Sequence, residues 1–273
     1  QRAQVAQACT CLGQFRSAMS IIWKLLLVSA GHVLETGAYS KAVNVNAEGS
    51  FTFLATDVTP LSEEEEALND ALKETDDKPL RGTGRKWLKV GRPQYVHWAK
   101  TAIRRTFCES GLGAGQAAFA LLTYSSGHLY EFDSVKKNHT RHAVRLLKEK
   151  FPGNVDIAGG LSNATVERFL KDHSNVTCDM LIVDGSNSTS VLHDLKLFAN
   201  LASKKHLLVL DGAPCSSDSC IAAKAAWDSL QESGCVRSSG RMAVDSKRGF
   251  TYGEYMKCDL WPNLSYASPL NGL

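Results

Sequence analysis

The chain has 273 residues, of which 44% are hydrophobic and 22% are charged, and its formal net charge at pH 7 is +3. A chain of this length can bury a large core, as one domain with an appendage or as two small domains. The small net charge, without a dense Lys/Arg stripe interleaved with aromatic residues, argues against nucleic acid as a partner. No apolar run reaches the roughly 20 residues that a membrane span needs.

The cysteines show no paired C-x-x-C spacing, the usual sign of a zinc site. We therefore expect no zinc, and we interpret most of the eight cysteines as buried free thiols. They are Cys9, Cys11, Cys108, Cys178, Cys215, Cys220, Cys235 and Cys258.

The first 34 residues contain no acidic residue. Arg2, Arg16 and Lys24, with a short apolar patch, are typical of an organellar transit segment. Two alternatives stay open. The segment is a secretory signal, since the small residues at 28–30 resemble a signal-peptidase site, or it is an amphipathic helix that packs on the domain. Lys24 interrupts the apolar patch and argues against secretion. We therefore expect an organellar location, or a cytoplasmic one if the segment is no targeting signal.

Residues 35–99 are predicted to form a partly helical region before the main domain. Ser62 can cap a helix whose first turn carries the acids at 63–66, where they favour the helix N-terminus. The glycines and basic residues at 81–91 indicate a solvated loop. A second helix is predicted from Pro93 to Arg105.

The next stretch, TFCESGLGAGQ at 106–116, predicts a strand, a glycine turn and a helix start. A short apolar lead reaches Glu109, and glycines follow at alternate positions as Gly111, Gly113 and Gly115. Glycine tolerates positive φ and lets the backbone approach a ligand, and the following helix offers free N–H groups. The spacing G-x-G-x-G differs from the G-x-G-x-x-G of dinucleotide sites and is more usual in S-adenosylmethionine sites. A glycine turn without any ligand is the alternative.

From this point the pattern alternates strand and helix, which predicts a parallel, doubly wound sheet. The predicted strands are 128–132, 155–158, 180–183 and 206–210, and the predicted helices are 141–150, 164–171, 191–202 and 221–232. The segment 235–256 predicts two strands joined by a turn.

Three of the predicted strands end in an acid: Asp133, Asp184 and Asp211. The carboxyl ends of strands line the ligand crevice of an open α/β sheet. Asp133 follows the glycines by about 20 residues, the spacing that places an acid on ribose hydroxyls. Asp is also a good turn residue, so each one alone has a purely structural alternative.

These pieces together resemble a class I S-adenosylmethionine-dependent methyltransferase, and more narrowly the small-molecule O-methyltransferase-like domains related to catechol O-methyltransferase. The matching pieces stand in order between 107 and 227 and beyond: CESGLGAGQAA, LYEFD, FPGNVDIAGGLSNATVERF, CDMLIVDGSNS, LLVLDGAPC and AAWDSLQESG. The resemblance implies a Rossmann-like, doubly wound, mostly parallel sheet with a C-terminal antiparallel hairpin. We divide the chain into a targeting segment (1–34), the partly helical region (35–99), the methyltransferase-like domain (100–260) and a tail (261–273).

The resemblance also implies a role for each matching residue. Glu109, Gly111, Gly113 and Gly115 would shape the pocket for the methionine part of S-adenosylmethionine, with Asp184 beside them. Asp133 would hold the ribose hydroxyls, and Ser162 with Asn163 would border the adenine. Asp184 and Asp211 match positions that ligate a divalent ion, usually magnesium, in metal-dependent members. That ion would bind two neighbouring oxygens of a small-molecule substrate and lower a hydroxyl pKa.

Two departures leave the catalytic residues unassigned. Gly212 stands where the family usually has a second metal-ligating Asp or Asn. Asn187 stands three residues after Asp184, where a Lys or His could take the substrate proton, and an amide is no general base. His193 is nearby, but we interpret it as a surface or capping residue. The alternatives to a methyltransferase are a catalytically inactive scaffold or cofactor-binding subunit, and an NAD-dependent oxidoreductase that lacks the usual glycine spacing.

Five triplets fit the N-glycosylation pattern, beginning at Asn138, Asn163, Asn175, Asn187 and Asn263. On the methyltransferase interpretation two of them, Asn163 and Asn187, lie at the cofactor crevice, where a glycan would block it. We therefore interpret the triplets as coincidental and expect no secretion. The methyl acceptor and the oligomeric state are not predicted.

Overall fold

The described part of the chain is built around a seven-stranded mixed sheet with helices on both faces. The computed structural model describes residues 42–45, 51–54, 60–73, 91–100, 105–184, 191–212, 218–245 and 248–259, all of which fall in one compact unit, 41–273. The predicted targeting segment, the basic loop at 81–89, Asn187 and the predicted tail lie outside the described residues.

The strands are β1 (Ala42–Val45), β2 (Phe51–Leu54), β3 (Thr106–Ser110), β4 (His128–Asp133), β5 (Val155–Gly159), β6 (Cys178–Val183), β7 (Ala202–Asp211), β8 (Val236–Asp245) and β9 (Arg248–Tyr255). The helices are α1 (Glu63–Lys73), α2 (Arg92–Lys100), α3 (Gln116–Thr123), α4 (Asn138–Lys150), α5 (Ser162–Asp172), α6 (Val191–Ala199) and α7 (Asp218–Glu232).

The strand order confirms the predicted topology. The large sheet runs β5-β4-β3-β6-β7-β9-β8, with parallel pairing from β5 to β7. β9 pairs antiparallel with both β7 and β8, which is the predicted terminal hairpin. β1 and β2 form a separate antiparallel pair. The order reverses between β3 and β6, and this switch point is where an open α/β sheet forms its ligand crevice.

Successive side chains of each central strand point to opposite faces of the sheet, and together they build two hydrophobic cores, one on each face. In β6, Leu181 and Val183 face the core that α5, α6 and α7 cover, where Phe198 and Trp227 are buried. Met180 and Ile182 face the opposite core, which α2, α3 and α4 cover. A strand buried on both faces is expected to be apolar, as β6 is from Met180 to Val183.

One predicted helix is shorter in the structure than in the sequence interpretation. The helix predicted over 191–202 ends at Ala199, because Ala202 pairs with Cys178 and begins β7. The helix predicted from Pro93 to Arg105 is described over Arg92–Lys100, and 101–104 lie outside the described residues; Arg105 is not helical, and its backbone N–H donates to the Asp179 carboxylate at 3.1 Å.

The predicted helix start at Ser62 is confirmed as a reciprocal capping box. The Ser62 backbone N–H donates to the Glu65 carboxylate at 3.0 Å, and the Glu65 N–H donates to the Ser62 hydroxyl at 3.2 Å. The same carboxylate accepts two bonds from the Arg92 guanidinium, at 2.6 and 2.7 Å. Both side chains are buried, so a bidentate ion pair fastens α1 to α2.

The expectation of free thiols is wrong for the described cysteines. Cys108 in β3 is bonded to Cys178 at the start of β6, and Cys235 is bonded to Cys258 across the base of the terminal hairpin. Cys220 is disulfide-bonded as well. Residue spacing did not indicate these bonds, because the cysteines that pair are separated by 70 and 23 residues.

Among the described residues, none of the helices is both long and apolar enough to cross a membrane.

The Glu65→Gln substitution should lower the free energy of unfolding by about 3–5 kcal/mol, because it leaves the buried Arg92 charge without its carboxylate. Urea unfolding followed by circular dichroism measures this. Glu149→Gln is the matched control: its pair with Arg145 is more than half exposed, and we expect a change below about 1 kcal/mol. Equal losses in the two variants would show that the Glu65 pair does not fasten α1.

Candidate functional site

The candidate site is the crevice at the carboxyl ends of β3 and β6. The helix that follows β3, α3, packs on one face of the sheet, and the helix that follows β6, α6, packs on the other. The Asp184 N–H donates to the Ser110 carbonyl at 2.9 Å, and the Gly111 N–H donates to the Phe132 carbonyl at 3.1 Å. These bonds hold the ends of three neighbouring strands together.

The glycine loop requires glycine for two different reasons. All three predicted glycines have positive φ: 100° at Gly111, 54° at Gly113 and 76° at Gly115. A Cβ on Gly111 would stand 2.1 Å from the Asp184 carbonyl oxygen, so the close approach of the two backbones leaves no room for a side chain. Around Gly113, in contrast, a Cβ would meet only the Gly111 carbonyl oxygen, at 4.0 Å. The loop is therefore open where a ligand would approach it.

Asp133 lies beside this loop, as predicted. One carboxylate oxygen accepts the Val135 N–H at 2.7 Å, and the other is 3.5 Å from the Gly113 nitrogen. Thr140, at the start of α4, donates its hydroxyl to the Gly113 carbonyl at 2.8 Å. α3 begins directly after Gly115 without a side-chain cap, so its first N–H groups face the loop.

Glu109 and Glu131 form a buried carboxyl pair beneath the loop. They stand opposite each other in the parallel pairing of β3 and β4, and they are 2% and 0% exposed. No donor group of the described residues bonds either oxygen of Glu131 or one oxygen of Glu109. Burial, followed by the nearby Asp184 charge, raises the pKa of Glu109 well above its usual range; burial, followed by the Glu109 charge, does the same to the pKa of Glu131.

Asp184 and Asp211, the predicted metal ligands, end the neighbouring parallel strands β6 and β7. Asp184 is exposed and Asp211 is half-buried. Gly212 has φ 91° and an open surrounding, with only the Cys220 sulfur 3.9 Å from the position of a Cβ. Within the described ranges, no three His, Cys, Asp or Glu side chains come together as a metal site. The two aspartates thus stay predicted ligands.

The remaining predicted residues lie at the start of α5 and on α6. The Ser162 hydroxyl donates to the Asp194 carboxylate, 2.8 and 2.9 Å from its two oxygens, and so fastens α5 to α6. Asn163 follows it, and its side chain is not among those described. Their predicted contact with adenine stays a prediction. His193 is an exposed residue 4.0 Å from Glu167 on α5, as the surface interpretation expects.

Two residues of the crevice were missed in the sequence. Glu131 was passed over for Asp133, although an acid at an inward position of an apolar strand is itself a signal. Tyr95 on α2 is 1% exposed, and its pKa is raised by burial and then by the charges of Asp211, Glu109 and Asp184. Tyr95 therefore lies within electrostatic range of the acids at three strand ends, which no sequence spacing indicated.

Comparison with known proteins agrees with this geometry. The family described as a methyltransferase domain matches residues 108–213, from β3 to just beyond β7. A search of curated proteins finds no match.

Several solved structures share the fold. The O-methyltransferase TomG from Streptomyces achromogenes, in complex with SAM, is 16% identical, with a TM-score of 0.59 over 74% of this chain and 94% of TomG. The SAH-bound methyltransferase PaMTH1 from Podospora anserina is 13% identical, with a TM-score of 0.58 over 74% of this chain and 91% of PaMTH1. An O-methyltransferase from Bacillus cereus in complex with SAH is 11% identical, with a TM-score of 0.56 over 73% and 94%. The described domain thus has the Rossmann-like fold of the class I O-methyltransferases.

The Gly111→Ala variant should fail to fold stably, because the new methyl group would overlap the Asp184 carbonyl at a backbone φ that alanine disfavours. Gly113→Ala is the control: it has room for the methyl group and should cost only about 1 kcal/mol. Thermal unfolding of both variants tests this. Similar melting temperatures would contradict the close approach of Gly111 to the Asp184 carbonyl.

The Glu131→Gln variant should flatten the dependence of stability on pH. Both glutamates have a folded pKa above the unfolded value of about 4.5, so their stabilising contribution is complete below that pH and is lost as pH rises through the folded pKa. Removing one acid removes part of that loss, so the stability of the variant should fall less than that of the native chain as the pH rises above about 4.5. Urea unfolding at a series of pH values above this point measures the difference. Parallel curves for the two proteins would contradict the raised pKa of Glu131, and exposed Glu149→Gln should leave the native curve unchanged.

Proposed function

We propose that the domain binds S-adenosylmethionine and transfers its methyl group to a hydroxyl of a small molecule. The observation that carries the proposal is a set of buried carboxyl oxygens without donors, next to an open glycine loop, at the switch point of a methyltransferase-type sheet. A buried acceptor without a partner costs free energy unless a ligand supplies a donor. The ribose hydroxyls and the amino group of S-adenosylmethionine are such donors.

The residues of the crevice fit the parts of this cofactor. Asp133 would accept hydrogen bonds from the ribose hydroxyls, as the resemblance implies, and Glu131 would share that role from beneath the loop. The open backbone at Gly113 would let the methionine part approach the sheet edge. The aspartates at the ends of β4, β6 and β7 (Asp133, Asp184 and Asp211) give the crevice a negative potential, which favours a cationic ligand.

When bound, S-adenosylmethionine supplies a methyl group on a positively charged sulfonium. Bound beside Asp133 and Gly113, it would supply this methyl group for displacement by the acceptor oxygen, with S-adenosylhomocysteine as the leaving group and the hydroxyl proton passing to solvent. The contribution of this chain is to hold the acceptor oxygen in line with that bond and to exclude water. Tyr95 and Trp98 on α2 are buried and pack edge-to-face against Phe250 of β9, so they would support this side of the crevice from within the core.

A divalent ion is the finer part of the proposal. Asp184 and Asp211 would hold magnesium, which commonly binds through one or two carboxylates and keeps several waters. The ion would lower the pKa of an acceptor hydroxyl. Gly212 has no side-chain ligand. The proposed metal site therefore has one side-chain ligand fewer than the sites of the metal-dependent members.

Gly212 also supports a second candidate, a methyltransferase-like scaffold or cofactor-binding subunit without turnover. This second candidate would bind the same cofactor at the same site. It would not bind or orient a methyl acceptor for reaction. Turnover of any hydroxyl acceptor separates the two.

Calorimetric titration of the full chain with S-adenosylmethionine and with S-adenosylhomocysteine tests the cofactor site. We expect micromolar binding, weakened about 10- to 100-fold in Asp133→Ala because charge-assisted hydrogen bonds are lost. Asp156→Ala is the matched control: it removes an exposed strand acid bonded to His128 and should leave the affinity unchanged. No binding by folded protein would refute the proposal, whereas binding by NAD alone would favour an oxidoreductase. Repeating the titration with magnesium and a catechol tests Asp184 and Asp211.

A further inference from the structure

The disulfides indicate the chemistry of the compartment in which this chain folds. Every described cysteine is disulfide-bonded: Cys108, Cys178, Cys220, Cys235 and Cys258. The two identified bonds join neighbouring strands at one place and close a hairpin at the other, so they fasten elements of the same sheet. Disulfides of this structural kind form and persist in oxidising compartments and are rare where glutathione and thioredoxin keep thiols reduced.

An oxidising secretory compartment also contains the transferase that modifies N-x-S/T triplets. The interpretation of all five triplets as coincidental therefore has to be examined at each position against the structure. Three of them have their asparagine among the described residues: Asn138, Asn163 and Asn175.

The triplet at 175–177 lies on a turn between α5 and β6. Asn175 and Thr177 are both exposed, and Val176 between them is half-buried and packs against the core that α5 covers. The Val176 N–H donates to the His173 carbonyl at 3.0 Å, which closes the turn. The asparagine and the hydroxyl that define the triplet are therefore both presented to solvent by one ordered turn.

This turn lies at the end of the sheet where the parallel strand β6 begins. The glycine loop and the strand-end acids lie at the opposite end, where β3, β4 and β6 finish. A glycan on Asn175 would extend into solvent away from the crevice.

The triplet at 138–140 differs on each of these points. Thr140 is 2% exposed, and its hydroxyl is used in the bond to Gly113 that holds the glycine loop. The Asn138 side chain accepts a hydrogen bond from Arg141. Asn163 follows Ser162 at the start of α5, on the crevice edge of the sheet. Of the three, Asn175 is the triplet whose modification leaves the fold and the crevice unchanged.

We propose that this chain folds in an oxidising secretory compartment and carries an N-linked glycan on Asn175. The co-reactant is a lipid pyrophosphate-linked oligosaccharide. The amide nitrogen of Asn175 forms a bond to the anomeric carbon of the sugar, the bond from that carbon to the pyrophosphate oxygen breaks, and the amide gives up one proton. The proposal does not depend on methyl transfer, since it concerns the opposite edge of the sheet.

The test is expression of the full chain behind a cleavable secretion signal in eukaryotic cells. Peptides of the secreted protein are mapped before and after peptide N-glycosidase treatment in ¹⁸O-labelled water, which marks each formerly glycosylated asparagine as labelled aspartate. We expect the label at Asn175, and we expect Asn175→Gln and Thr177→Ala to lose one glycan. Thr177→Ser keeps the hydroxyl and should keep the glycan, which separates loss of the triplet from misfolding. A secreted, folded chain without label at Asn175 would overturn the site.

A digest made without reduction tests the compartment. We expect the peptides that contain Cys108 and Cys178 to remain joined, and likewise those that contain Cys235 and Cys258. Reductant should lower the melting temperature by roughly 5–15 °C. Free thiols at these four positions in the secreted protein, or equal melting temperatures with and without reductant, would overturn the proposal. Glycan removal under native conditions should leave S-adenosylmethionine affinity unchanged, so a failed cofactor titration would bear only on the proposed enzyme.

Discussion

The rest of the site depends on how closely the backbone after β3 approaches the end of β6. At Gly111 the backbone passes so near the Asp184 carbonyl that no side chain fits between them. This contact fixes the glycine loop against the end of β6, and the bond from Thr140 to Gly113 holds it from the other side. The loop is therefore rigid at its two supports and open at the position between them, which is the arrangement that a ligand-binding turn requires.

The second feature of the site is the concentration of acidic groups at one edge of the sheet. Parallel strands bring their carboxyl ends together, so acids that are far apart in the sequence become neighbours. Glu109 and Glu131 are the extreme case, since they are buried and adjacent, and three of their four carboxyl oxygens have no donor among the described residues. Holding such groups costs folding free energy, and a cationic, donor-rich ligand would recover it. The cost of the site and its affinity for a ligand have the same physical origin.

The sheet is also fastened away from the crevice. The ion pair between Glu65 and Arg92 holds α1 to α2, and α2 in turn brings Tyr95 into the range of the strand-end acids. The disulfide between Cys108 and Cys178 joins the two strands that flank the switch point. The helices that precede β3 thus bring a buried side chain close to the acids of the crevice, and the cysteines interpreted as free thiols cross-link β3 to the start of β6, at the end of that strand opposite the crevice.

The sequence by itself determined the order and kind of the elements from β3 to β9, because alternation of apolar runs with glycine and acidic turns is a local signal. It also determined the identity of the glycine loop and of Asp133, since both follow from spacing within one strand-turn-helix unit. Only the tertiary structure decided where α6 ends, because the pairing of Ala202 with Cys178 competes with helix propensity there. It alone decided which cysteines pair and that Glu131 lies beside Glu109, since strand register and the meeting of residues 70 positions apart depend on packing of the whole sheet.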